Sequence, residues 1–324
     1  MSSEGISRRR FITMGAAAVV PVALHAGSGA TCPLFGESSP LLDAVNFRKL
    51  EISVGAEKPF AVIHASDSHL NFMSPGDLID AKYASDLELY RKRRQAIDPL
   101  PGLAAVVLTA RLRKIPIMYT GDLIDYESAA NLAMARNTFF GVDVLFAPGN
   151  HECVGHWGQK PPKWSECRAM RKRMERFFPN DIAVASHVVN GVNFVAFDNA
   201  GMSRDILATQ ILERLKVEFG KGLPTVLVYH VPFYCRELRD MLVEGRRRNP
   251  VKEEQLAWGY LANAPKGGTA AERKIFEYAA SQSNLKAALC GHLHDEFVCE
   301  FSGDVKQYVA GATFKGQAYE ITFA

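Results

Sequence analysis

Five short polar clusters in this 324-residue chain each follow an apolar run. Asp67-Ser68-His69 follows FAVIHAS, Gly121-Asp122-Leu123-Ile124-Asp125 follows IPIMYT, and Gly149-Asn150-His151-Glu152 follows VDVLFAP. His230 follows TVLVY, and Gly291-His292-Leu293-His294 follows KAALC. These clusters supply carboxylate, amide-oxygen and imidazole donors with no thiolate, a set that suits Fe, Mn, Zn or Co rather than a structural cysteine-bound zinc. In extended chain, residues two apart point the same way, so Asp67 with His69, and His292 with His294, should each aim at one spot. Gly121, Gly149 and Gly291 permit tight turns and close backbone approach just before those residues. Asp67, His69, Asp122, Asn150, His230, His292 and His294 make seven donors. That is more than one catalytic ion takes while keeping an open position, whereas two ions about 3.5–4 Å apart, bridged by a carboxylate and a water, would use them all.

Such a centre needs elements that bring distant segments to one edge. Short β-rich runs at Phe60–Ala65, Ile115–Tyr119, Val142–Ala147, Thr225–Tyr229 and Lys286–Cys290 alternate with helical patterns near Leu78–Ile97, Leu103–Arg113, Glu127–Phe139, Glu166–Phe178, Ile206–Phe219 and Ala270–Ser281. This alternation predicts an α/β layered fold with largely parallel central strands, whose carboxyl ends share the edge where ligand sites form. Asn190-Gly191, between two β-rich arms, predicts a hairpin. Three further strand candidates lie between Asp295 and Phe323, so the fold should contain two mixed sheets packed face to face. No repeat or linker divides the body, and the charged, Pro-broken stretch Glu244–Gln255 reads as a solvated insertion.

The ordered set DSH, GDLID, GNHE, a lone histidine after a strand, and GHLH resembles the calcineurin-like metallophosphoesterase family, over about Phe60 to His294. The resemblance implies a four-layer αββα sandwich, two mixed β-sheets flanked by helices; with no linker to divide the body, a single domain over residues 42–324 is expected. It also implies hydrolysis of phosphate esters by a dinuclear metal centre and a bridging hydroxide, with two divalent or trivalent ions (Fe, Mn or Zn). Asp67, His69 and His294 match the ligands of one ion, Asn150, His230 and His292 those of the other, and Asp122 the bridging carboxylate. His151 matches the family's proton donor to the leaving oxygen, and Asp125 the carboxylate that orients it. One position departs from the pattern: the family's protein phosphatases carry an arginine directly after the second Asp of GDxxD, and here Tyr126 stands there. Bidentate phosphate capture at that point is lost, which favours a phosphodiester or small phosphomonoester over a phosphoprotein. Two rival readings are a noncatalytic metal-binding protein that keeps the fold, and a mononuclear metal hydrolase acting on a non-phosphate bond.

The first thirty residues read as an address. A basic start, an apolar stretch from Phe11 to Leu24 too short to span a bilayer, and small residues at Ala26 to Ala30 form a signal-peptide pattern. Ser7-Arg8-Arg9 followed by Phe11-Ile12 resembles the twin-arginine signal, which implies recognition by the twin-arginine export machinery and delivery to the bacterial periplasm or beyond. After processing no stable membrane span is expected. Beyond the leader the chain carries 35 basic against 34 acidic residues, a balance that argues against a dedicated nucleic-acid or membrane-surface binder. No Walker-type loop is present, which excludes a nucleotide-loop ATPase. Of the six cysteines, Cys153 and Cys167 form one conceivable disulfide pair, while Cys290 reads as a small buried hydrophobe. His64 reads as a strand residue, His156 and His187 as surface or rim residues, and Trp157 and Trp164 as packing under a loop.

Overall fold

The structure is a computed structural model that describes residues 40–79, 85, 98–153, 172–200, 205–245 and 251–324. The leader, nearly all of the expected helix Leu78–Ile97, the first half of Glu166–Phe178, and His156, Trp157, Trp164 and Cys167 lie outside those residues.

In chain order the described elements are β1 (Asn46–Ile52), β2 (Phe60–Ala65), α1 (Leu100–Arg113), β3 (Ile117–Tyr119), α2 (Ala129–Thr138), β4 (Val144–Phe146), β5 (Val184–Val189) and β6 (Val192–Phe197). There follow α3 (Asp205–Phe219), β7 (Thr225–Val228), α4 (Arg236–Asp240), α5 (Leu256–Gly259), α6 (Ala270–Ala280), β8 (Leu285–Cys290), β9 (Phe297–Ser302), β10 (Val305–Val309) and β11 (Gln317–Phe323). One sheet has the order β1-β11-β2-β3-β4 and the other β5-β6-β7-β8-β10-β9. Both are mixed: β11 runs antiparallel to β2, while β2, β3 and β4 are parallel. In the second sheet β6, β7, β8 and β10 are parallel, and β5 and β9 are antiparallel edges.

Strand periodicity builds the layers. Val62, Met118 and Leu145 of the first sheet meet Phe194, Val226, Val228, Ala287 and Leu289 of the second in one dry cluster. Their sequence neighbours point the other way: Ile63, Ala65, Ile117, Tyr119 and Phe146 pack against Leu103, Val106 and Ala110 of α1. Val195, Phe197, Leu227 and Ala288 pack against Ile211 and Leu215 of α3 and Ile275 of α6. Strands buried on both faces are unbroken apolar runs for this reason, and the result is the expected helix–sheet–sheet–helix sandwich.

The hairpin turns at Asn190 and Gly191, with φ of 44° and 79°, the left-handed pair of a two-residue hairpin. Two features were not legible in the sequence. Strand β1 carries Arg48, Lys49 and Glu51 and shows no apolar alternation, yet it pairs in parallel with β11 from Asn46 opposite Gln317 to Ile52 opposite Phe323. The three carboxyl-terminal strands also divide: β9 and β10 stay on the second sheet, and β11 crosses to lie between β1 and β2.

Candidate metal centre

Strands β2, β3, β4, β7 and β8 all stop a few residues before a ligand cluster, and the loops beyond them continue the ladder. Asp67 N donates to Gly121 O (2.9 Å), His69 N to Asp122 O (2.9 Å), Leu70 N to Leu123 O (2.8 Å) and Asp125 N to Leu70 O (2.9 Å). Bonds between the two sheets close the site: His230 Nδ1 donates to Thr120 O (2.6 Å) and His292 N to Asp67 Oδ2 (2.9 Å). A Cβ on Gly121 would lie 2.5 Å from Gly149 N and 2.7 Å from His230 Nδ1; only glycine fits between these loops.

The local backbone differs from the expected extended one. Asp67, His69, Asp122, His292 and His294 have φ of 55°, 52°, 52°, 72° and 59°, all in the left-handed region. Alternate left-handed residues, not a straight strand, aim each D-x-H and H-x-H pair. Each such residue costs about 1 kcal/mol or more, and the loop-to-loop ladder holds them in place.

All seven predicted donors come together. One oxygen of Asp122, Oδ2, lies 3.2 Å from His230 Nε2 and 3.7 Å from His69 Nε2. On one side of it His69 Nε2 is 3.0 Å from His294 Nε2, and Asp67 Oδ1 is 3.2 Å from His294 Nε2. On the other, His230 Nε2 is 3.1 Å from His292 Nδ1 and 3.2 Å from Asn150 Oδ1. Asp67, His69, Asp122 and His294 thus form one group of converging donor atoms, and Asp122, His230 and His292 a second. The set fits cations: Asp67 Oδ1 is buried without a well-formed hydrogen bond, and imidazole nitrogens face each other at hydrogen-bond distance around it, an arrangement natural for lone pairs sharing a metal.

Charge agrees with that fit. Burial alone would push the Asp67, Asp122 and Asp125 carboxyls up, but the histidines around them outweigh it and hold all three below the usual range. Burial likewise opposes charge on His69 and His230. The Asp125 hydrogen bond with Asp67 and Asp122 raises His69 to about 10, and Asp122 raises His230 to about 9. His292 is pushed down to about 4 by burial and by His230.

Around the donors, Asp125 Oδ1 accepts from His69 Nδ1 (2.8 Å) and lies 3.1 Å from His151 Nδ1. His151 Nδ1 also donates to the Asp125 carbonyl (2.8 Å), which leaves Nε2 4.0 Å from Asp122 Oδ2. Glu152, whose role the GNHE pattern does not reveal, is buried and accepts from the amides of Asp122 (2.8 Å), Gly149 (2.6 Å) and Ile124 (3.1 Å). Two carbonyls were also invisible in sequence: Thr120 O, described above, and Gly259 O, which accepts from His292 Nε2 at 2.7 Å. Phe314 stands edge-on to the rings of His69 and His294, at 5.6 and 5.1 Å between centroids. Tyr126 is fully buried, and so is His64 on β2, whereas His187 lies on β5 with Nδ1 3.3 Å from Asp143. Cys290 is buried, as expected.

Two facing mixed sheets with a histidine–carboxylate cluster on their common edge are the layout of a metal-dependent hydrolase. Residues 60–296, well over half the chain, match the calcineurin-like phosphoesterase family, and the chain belongs to it. Among solved structures it is similar to a dimetal phosphatase from Danio rerio (12% identity, 79% of this chain and 88% of that one, TM-score 0.41). It is also similar to the phosphopantetheinyl hydrolase PptH from Mycobacterium tuberculosis (15% identity, 82% and 91%, TM-score 0.38). A third is GAP50, the anchor in the inner membrane complex of Plasmodium (10% identity, 79% and 72%, TM-score 0.41). No curated protein sequence is matched.

Proposed function

We propose that this protein hydrolyses phosphate esters at a two-metal centre, with Asp67, His69 and His294 holding one ion, Asn150, His230 and His292 the other, and Asp122 shared. The observation that carries the reading is Asp122 Oδ2, a single oxygen within 3.7 Å of donors from both groups. Two Fe, Mn or Zn ions held by these residues would supply Lewis acidity toward a phosphate ester and a water. The residues' own work is positional and acid–base. Thr120 O, Gly259 O and the Asp125 carboxylate each take one ring hydrogen of His230, His292 and His69, which turns the opposite nitrogen inward. His151, its Nδ1 tied to Asp125, keeps Nε2 toward Asp122 and protonates the leaving oxygen there. With Tyr126 buried where an arginine would grip phosphate, the substrate is a phosphodiester or a small phosphomonoester. The protein is exported through the twin-arginine machinery, a reading supported by Arg8-Arg9 and the apolar run that follows. Among the described residues no helix is long and apolar enough to cross a membrane.

The test measures metal content and hydrolysis of bis-p-nitrophenyl phosphate on one preparation. Expected are two ions per chain and turnover lost on chelation and restored by Mn or Zn. One ion per chain, or no turnover across a panel of phosphate esters by the metal-loaded protein, overturns the reading. For export, Arg8-Arg9 replaced by Lys-Lys should block translocation, and undiminished export defeats that part.

A further inference from the structure

Away from the metal centre, the structure brings two cysteines from distant segments side by side. Cys235 directly precedes α4, five residues beyond His230, and Cys299 lies in β9, five residues beyond His294. Their Sγ atoms and a carboxylate oxygen of Glu237 all lie within 4.8 Å of one another. The juxtaposition is built: Glu237 Oε2 accepts the backbone amide of Glu300 at 3.1 Å, tying α4 to β9 beside the pair. The Cys235 sulfur caps α4 by accepting from Leu238 N at 3.5 Å. Cys299 is 1% exposed whereas Cys235 is half-buried, so one sulfur can be reached from solvent and its partner waits behind it.

We propose that Cys235 and Cys299 form a disulfide, a clasp that joins the segment following His230 to the segment following His294. The oxidant is a low-molecular-weight disulfide. The Cys235 thiolate attacks one of its sulfurs and forms a mixed disulfide, releasing the first small thiolate. Cys299 then loses its proton and attacks Cys235 Sγ, expelling the second. Two electrons pass from the protein sulfurs to the reagent, and the two thiol protons leave with the two small thiols. The environment suits this order. The hydrogen bond from Cys299 draws the Cys235 thiol down from its ordinary value, and the same bond, with burial, keeps Cys299 protonated. Once Cys235 is in the mixed disulfide it carries no charge to hold that proton. A zinc site on the same three residues is the weaker fit. Glu237 is exposed and already engaged with Glu300, and among the described residues no fourth Cys, His, Asp or Glu atom joins the group.

Full-length protein is incubated with oxidised glutathione at about pH 8, where an ordinary thiol is partly ionised, alkylated under denaturing conditions and mapped by mass spectrometry without reduction. The expected product is one cross-linked peptide pair holding Cys235 and Cys299, lighter by two hydrogens than the free peptides, with Cys290 alkylated. Reduction restores both sulfurs to alkylation and lowers Tm by roughly 5 °C or more, because the closed loop is long. In Cys235→Ser, at the half-buried position, that redox-dependent share of the Tm shift is absent while the metal content of the main centre is unchanged. The proposal is overturned if both sulfurs remain alkylated after oxidation, if glutathione stays attached to Cys235, or if a third, thiol-bound metal ion blocks oxidation until it is chelated.

Discussion

Oδ1 of Asp125 lies 2.8 Å from Nδ1 of His69, a member of one of the two converging donor groups, and 3.1 Å from Nδ1 of His151. One carboxylate therefore orients both a proposed metal ligand and the proposed proton donor. Asp125→Ala is expected to lower affinity for the Asp67–His69–His294 ion about 10- to 100-fold and to cut turnover as well. His151→Ala is expected to cut turnover about 100-fold or more with metal content near normal. Metal analysis of the two variants beside their kinetics checks the difference, and equal metal loss in both would remove His151 from its role.

Glu152 acts as a clamp. Its carboxylate gathers the amides of Asp122, Ile124 and Gly149, and burial with the Asp122 charge raises its pKa to about 7. Glu152→Gln places an amide NH2 against backbone donors and should lower stability by about 2–4 kcal/mol. Affinity should fall for both proposed ions, since Asp122 belongs to both groups of converging donors. Urea unfolding and metal titration of the variant measure the two effects, and a variant as stable as the parent would refute the clamp.

Protons compete with the metals. His69 and His230 are raised to about 10 and 9, so at neutral pH each proposed ion would have to displace an imidazole proton on binding. Affinity should fall as pH falls, about tenfold per pH unit per displaced proton between pH 8 and 6. Titration calorimetry in buffers of different ionisation enthalpy should show protons released on binding; proton uptake, or affinity flat across this range, would contradict the site's electrostatics.

His64 contributes to acid sensitivity. Burial lowers its pKa from 6.5 to about 3, so below pH 6.5 the unfolded chain binds a proton that the folded chain refuses. The associated stability is intact above pH 6.5 and is lost as pH falls toward 3, at about 1.4 kcal/mol per pH unit. Denaturant unfolding at pH 7, 6 and 5 should be less pH-dependent in His64→Gln than in the parent, and parallel curves would show that His64 does not contribute.

Much of the fold was legible because buried strands must be apolar on both faces. FAVIHA, TVLVY and KAALC marked β2, β7 and β8 directly, and Asn190-Gly191 marked its hairpin. Strand β1 escaped because an edge strand with Arg48, Lys49 and Glu51 owes its form to β11, a partner at the other end of the chain. Glu152 escaped because its role is to accept backbone amides, and no residue pattern reveals which amides a fold will offer.

Donor chemistry and the order of the clusters follow from composition and local spacing, and these residues alone determined that imidazoles and carboxylates would end up after strands. Which atoms meet was decided by tertiary structure. The left-handed turns at Asp67, His69, Asp122, His292 and His294 are unfavourable in an isolated segment. They persist because neighbouring loops and the opposite sheet supply hydrogen bonds that a short peptide lacks. The same holds for Cys235 and Cys299, which no sequence interval pairs and which meet because α4 docks on β9.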